Sequence, residues 1–159
     1  MSDESELYLQ RAENELVAAQ MLFDISSNPK LQKEQFKLEK DFTFYSNVIN
    51  HSYYCIFYSA KAILIKEGIK TGTPEVHKKT LEAFETYLVK TGKLDVDLLK
   101  IYKEIIIKAD KLLGIFSKER GKRGEFTYQK LPQANKEPAK ESLDNSSLFF
   151  KNINKIIRE

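Results

Sequence analysis

Arg120 and Arg123 stand three positions apart, with Gly121 and Gly124 beside them. Glycine lets a backbone approach a phosphate closely, and a guanidinium can hold one through two parallel hydrogen bonds. Lys118, Lys122 and Lys130 lie nearby. Residues 118–130 thus carry five positive charges against Glu119 and Glu125, a local excess equal to the +3 net charge of the whole protein. Lysine far outnumbers arginine in this chain, so each arginine carries more information. Tyr128 follows closely and can act as a phenol beside Arg123 that hydrogen-bonds a phosphate. It can also be a plain anchor, since Phe126 and Tyr128 alternate like a segment laid on a surface. The competing account of the whole stretch is a solvated loop whose arginines pair with local glutamates.

A second group of polar side chains sits at helical spacing. Asn47, His51 and Tyr54 fall on one side of a helix, as do Asn50, Tyr54 and Tyr58. Such a strip can stack a base or hold a phosphate network. Core packing with satisfied hydroxyls and amides, or a dimer interface, is the more ordinary account. His51 and Cys55 are within reach of each other on a helix, but no third orienting group or oxyanion donor accompanies them, and a mid-helix thiol is poorly exposed. They do not read as a nucleophilic pair. His77, after a Gly-Thr-Pro turn, reads as structural. One cysteine and two separated histidines make no zinc constellation, no glycine-rich phosphate loop is present, and no metal or cofactor is expected. Glu82 and Glu85 read as solvated helix surface.

The elements that must position these groups follow from hydrophobic spacing. Residues 42–60 hold no Asp, Glu, Lys or Arg in a chain that is 31% charged, and they include seven aromatics. The run predicts a central helix whose whole circumference meets protein, capped by Asp41 and continuing through Leu64 to Gly68. A membrane span of that length would be mostly aliphatic and would not tolerate the Asn and His residues. A first helix is expected from Ser2 or Ser5 to about Ile25, with Leu9, Ala12, Leu16, Ala19 and Phe23 inward and acids early. Ser26 to Pro29 end it, and Lys30 to Lys40 has room for one short turn. The next helix starts at Thr73 or Pro74, places His77, Leu81, Phe84 and Leu88 on one face, and closes at Gly92. Another runs from Val96 to Phe116 with Leu99, Tyr102, Ile106, Ala109, Leu113 and Phe116 as its stripe, widened by Ile105, Ile107 and Leu112. Ser117 to Lys136 is expected to be irregular, and a last helix spans Pro138 to Ile157. No alternating strand pattern of useful length occurs. The expected fold is all-α, one domain over residues 1–159, an antiparallel up-and-down bundle of four to five helices. The acidic start MSDESEL lacks signal-peptide form, so a cytoplasmic protein is expected, with no membrane partner.

Three pieces in order resemble the HEPN family. The first is Asn50-His51-Ser52-Tyr53-Tyr54-Cys55-Ile56-Phe57-Tyr58-Ser59-Ala60-Lys61-Ala62-Ile63-Leu64, similar to that family's tyrosine-pair helix. The second is Val76-His77-Lys78-Lys79 with Phe84 and the Gly-terminated Leu88-Val89-Lys90-Thr91-Gly92-Lys93. The third is Arg123-Gly124-Glu125-Phe126-Thr127-Tyr128, like the family's arginine followed by an acid-Tyr or His position. The resemblance runs from about residue 5 to the C-terminus. It implies an antiparallel helical bundle, commonly a homodimer, that acts on RNA or pairs with a minimal nucleotidyltransferase in a toxin–antitoxin system. Ribonuclease members carry a histidine four to six residues after the arginine. Here both histidines lie upstream of Arg120 and Arg123, and Tyr128 stands where the histidine would be if Arg123 is the motif arginine. A phenol with an ordinary pKa of about 10 is a poor acid-base group at neutral pH.

The expectation is therefore a HEPN-like protein that binds RNA or nucleotide through Arg120, Arg123 and Tyr128 with Tyr54 and His51, without the usual ribonuclease chemistry. Two alternatives stay open. One is an interaction component paired with a nucleotidyltransferase, for which Tyr128 is a modification target. The other is a ribonuclease with altered chemistry.

Overall fold

A computed structural model describes residues 2–113 and 135–159 of the protein. Their helices are α1 (Asp3–Ser26), α2 (Pro29–Phe36), α3 (Tyr45–Lys66), α4 (Val76–Ala83), α5 (Val96–Leu113) and α6 (Lys136–Arg158). A π-helical segment, Phe84–Val89, continues α4 directly. There is no strand among the described residues.

Local chemistry explains the ends. Ser2 Oγ accepts the Ser5 N–H at 3.1 Å, and Asp3, Glu4 and Glu6 occupy the first turn of α1, where the helix dipole favours negative charge. Asn28 caps α2 by accepting the Leu31 N–H at 3.0 Å, with Pro29 as the first helical residue. Gly68, with φ +81°, closes α3 while Ile69 N–H reaches back to the Leu64 carbonyl at 2.8 Å. Only a residue without Cβ takes that left-handed turn at little cost.

Four long helices alternate in direction. Tyr45 lies by Ser27, and Ser5 Oγ donates to the Ala62 carbonyl at 2.8 Å, so α1 and α3 are antiparallel. Lys66 Nζ donates to the Ile157 carbonyl at 3.1 Å, and Cys55 lies near Ser146, so α6 runs parallel to α3. Lys108 pairs with Glu141 while Tyr102 packs on Phe149, which sets α5 antiparallel to α6. The result is the expected up-and-down bundle, with α3 at its centre and α1, α5 and α6 packed on it. The core joins Leu9 and Ala12 of α1, Tyr53, Ile56, Phe57 and Leu64 of α3, Phe84 and Leu88, Leu99 and Tyr102 of α5, and Phe149 and Ile153 of α6.

Several expectations need correction. The central helix is not enclosed on every side: Asn47 is exposed, and Asn50, His51, Tyr54 and Tyr58 are half-buried along one strip. Absence of formal charge in the sequence signalled limited hydration, and polar aromatics satisfy that at a half-wet seam. Asp41 does not cap α3; the helix begins at Tyr45, and Gln32 and Ser26 hold the preceding residues instead. The short turn after Pro29 is a two-turn helix. The helix bearing His77 starts at Val76, later than Thr73 or Pro74, and its second half widens to π geometry. In α5, Leu98 joins the core and Ile107 is exposed. Phe116 and the stretch expected to be irregular lie outside the described residues, apart from Asn135 and Lys136.

Candidate nucleic-acid interface

Antiparallel pairing of α1 and α3 lays two sets of side chains against each other. Tyr8, Arg11 and Glu15 recur at intervals of three and four on α1, and His51, Tyr54 and Tyr58 do so on α3. Their order is reversed, so Tyr8 meets Tyr58 with ring centroids 5.9 Å apart, while Glu15 Oε2 accepts from His51 Nδ1 at 2.5 Å. Tyr54 and Tyr58 are also 5.9 Å apart, tilted by 35°. The Arg11 guanidinium carbon lies 5.3 Å from the Tyr8 centroid and 5.9 Å from that of Tyr58, within cation–π range. Burial pushes the Tyr58 phenol up, and the Glu15 charge adds to this while Arg11 opposes it. The three tyrosines are half-buried.

Behind this strip lies a drier polar network. Tyr53, one residue from Tyr54, turns fully into the core, where its hydroxyl meets His77 Nδ1 at 2.7 Å. Burial drives the Tyr53 pKa strongly up, so the phenol keeps its proton and can donate a hydrogen bond to the imidazole. His77 is pushed down, first by burial and then by the Lys61 charge, which favours the neutral ring that can accept at Nδ1. The His77 ring also packs 4.4 Å from Phe57. Lys61 is itself only 8% exposed. Its ammonium donates to the Thr71 carbonyl and lies 5.2 Å from the Tyr8 centroid. Thr71 Oγ1 meets Thr80 Oγ1 at 2.7 Å, and Thr80 donates to the Val76 carbonyl at 2.6 Å. These bonds fasten the α3–α4 connection and fix where His77 enters the bundle.

Of the residues singled out by sequence, His51 and Tyr54 come together on the strip, with Tyr58. Arg120, Arg123 and Tyr128 lie outside the described residues. Cys55 is fully buried, with its thiol pushed well up by burial, so it offers no thiolate to His51. His77 is held by Tyr53, in keeping with a structural role. Sequence reasoning passed over Tyr8, Arg11, Glu15 and Lys61. The first three had a signal: they flank the Leu9–Ala12–Leu16 stripe at its own spacing. Lys61 had none, because a lone lysine on a long helix ordinarily carries its ammonium out to water. Among the described residues no three His, Cys, Asp or Glu side chains gather as metal ligands, and no helix is long and apolar enough to cross a membrane.

An all-α bundle built on a tyrosine-pair helix is what the sequence resemblance implied, and comparison with known families agrees. Residues 29–156 match the HEPN domain. The chain belongs to the HEPN family. This HEPN protein is 27% identical over 113 residues to a UPF0332 protein of Thermotoga maritima, spanning 71% of this chain and 73% of that one. It is 34% identical over 61 residues to a protein of Methanocaldococcus jannaschii named as a candidate toxin, spanning 38% of this chain and 40% of the relative. In this HEPN protein His51 is bonded to Glu15 and His77 to Tyr53.

Proposed function

We propose that this HEPN protein binds RNA or a nucleotide at the α1–α3 seam, with Arg120, Arg123 and Tyr128 supplying further phosphate contacts, and that it lacks the Arg–His ribonuclease chemistry. The observation that carries this is the row of half-buried rings, Tyr8, Tyr58 and Tyr54, at about one ring's spacing beside a guanidinium. Aromatic faces of this kind stack unpaired bases without needing a sequence, and nearby basic groups hold the backbone. No histidine follows either arginine of the 118–130 segment, which supports binding without the usual cleavage. The test is fluorescence anisotropy with single-stranded RNA. Replacing Arg120 and Arg123 by alanine weakens binding and flattens its salt dependence, and Tyr54→Ala weakens it with little change in that dependence. Unchanged affinity in both variants rules the site out.

The name of the M. jannaschii relative favours a second reading, that of a toxin-type component. On that reading the protein forms a homodimer and pairs with a minimal nucleotidyltransferase that modifies Tyr128. Mixing the two proteins with ATP gives a mass increase that Tyr128→Phe abolishes; an unmodified protein excludes that partnership.

A further inference from the structure

Arg11 has an unusual setting. It is exposed and makes no ion pair or hydrogen bond with any described residue, unlike Arg158, which donates to Glu6 and Asn154 at 3.1 Å each. Its position is nevertheless defined, because the guanidinium lies over two tyrosine rings at 5.3 and 5.9 Å. Glu15 is one turn along the same face and is the carboxylate that an i,i+4 helix pair would offer it. That carboxylate is taken by His51 at 2.5 Å instead. A second cation shares the Tyr8 ring: the Lys61 ammonium, 5.2 Å from its centroid and held by Thr71. Glu4, the acid nearest in effect to Lys61, pairs with Lys70 at 3.0 Å. Two positive charges thus flank one ring while the local acids are engaged by other bases. A guanidinium lying along aromatic faces keeps N–H donors at its edge for a planar, two-point acceptor.

We propose that Arg11 is a direct contact for a phosphate oxyanion, with Tyr8 and Tyr58 as the platform that orients it and Lys61 as a second positive charge behind that platform. For the source of the phosphate, an RNA backbone or a free nucleotide, the inference rests on the function proposed above. Lys61 acts through its field, since its ammonium is enclosed and already bonded.

Binding is measured with three probes: a labelled single-stranded oligouridylate of about 12 nucleotides, ATP, and inorganic phosphate. The chains compared are the parent, Arg11→Gln, Arg11→Lys, and the Arg120→Ala/Arg123→Ala double variant, all checked for unchanged thermal unfolding. Arg11→Gln is expected to weaken oligonucleotide binding about tenfold and to make the log–log salt slope shallower by about 0.7, the value of one phosphate contact on a single strand. Arg11→Lys keeps the slope but recovers only part of the affinity, because an ammonium lacks the two-point fork. Loss with the oligonucleotide alone assigns a backbone phosphodiester; loss with ATP as well assigns a phosphate from either source. Arg11→Gln binding all probes as the parent does, while the double variant binds RNA more weakly, overturns the role of Arg11 and leaves the RNA reading standing. Phosphate binding that depends on Arg11, without binding of RNA or ATP, upholds the anion site and overturns the RNA reading. Failure of the parent to bind any of the three probes overturns both.

Discussion

Tyr102 is fully enclosed, its ring 5.4 Å from Phe84 and 5.9 Å from Phe149, and its hydroxyl has no hydrogen-bond partner. Burial pushes that phenol far up, so it stays neutral. A buried hydroxyl without a partner has lost water and gained nothing in exchange. Tyr102→Phe is therefore expected to leave stability unchanged or raise it by about 1 kcal/mol in urea unfolding; a loss of similar size would mean the hydroxyl is bonded. His77 gives the opposite kind of test. Its pKa is lowered in the fold by burial and Lys61, while in the unfolded chain it takes the ordinary histidine value. The unfolded state then binds more protons, so the stability His77 contributes is full above about pH 6.5 and is lost as pH falls below it. His77→Gln removes that titration and still offers an acceptor to Tyr53. Its stability should fall less steeply than the parent's between pH 7 and pH 5, at roughly that range of ordinary histidine titration, and parallel curves would exclude the assignment.

At the scale of elements, α2 shows how one polar side chain can organise a segment. Gln32 is almost fully buried; its Nε2 donates to the Ile25 and Phe42 carbonyls at 2.7 and 2.8 Å, and its Oε1 accepts the Phe42 N–H at 2.8 Å. The amide joins the end of α1 to the extended residues before α3, and Ser26 Oγ adds a bond from Phe44 N–H at 2.7 Å. Gln32→Leu fills similar space but strands the Phe42 N–H and carbonyl, while the Ile25 carbonyl keeps the Asn28 N–H at 3.2 Å. A loss of about 2 kcal/mol is expected, with faster hydrogen exchange at the Phe42 and Phe44 amides; exchange unchanged at those amides would show that the clamp is dispensable. The clamp also explains why no side-chain cap is needed at Tyr45: the chain arrives already fixed in direction.

Across the whole molecule, stability is concentrated where four long helices meet. Phe149 is fully buried, 5.5 Å from Phe84, and sits between α6, α5 and the π-helical segment. Its neighbour Leu148 is 52% exposed. Phe149→Ala is expected to cost about 3–5 kcal/mol in denaturant unfolding, and Leu148→Ala about 0.5 kcal/mol or less. Similar losses at both positions would place α6 in the wrong rotation. The same packing sorts neighbouring side chains by depth. Tyr53 is spent on the core while Tyr54, one residue on, remains at the seam.

Much of this was legible in the amino-acid order. Leu9, Ala12, Ala19 and Phe23 announced α1, Gly68 and Gly92 marked ends with φ near +80°, and the aromatic run marked the central helix. These are local properties: side-chain periodicity, capping and backbone freedom act within a few residues and need no partner. His51 and Tyr54 were also visible as one strip. What faces that strip was not, because Tyr8, Arg11 and Glu15 come from 36 residues or more away in sequence and meet it only through antiparallel packing of α1 on α3. Periodicity states that a helix has an inner face but not which helix covers it or in what register. The choice between Tyr53 inside and Tyr54 at the seam, the pairing of Glu15 with His51 instead of Arg11, and the enclosure of Lys61 were decided by tertiary structure alone, since each depends on distance and exclusion of water between segments remote along the chain.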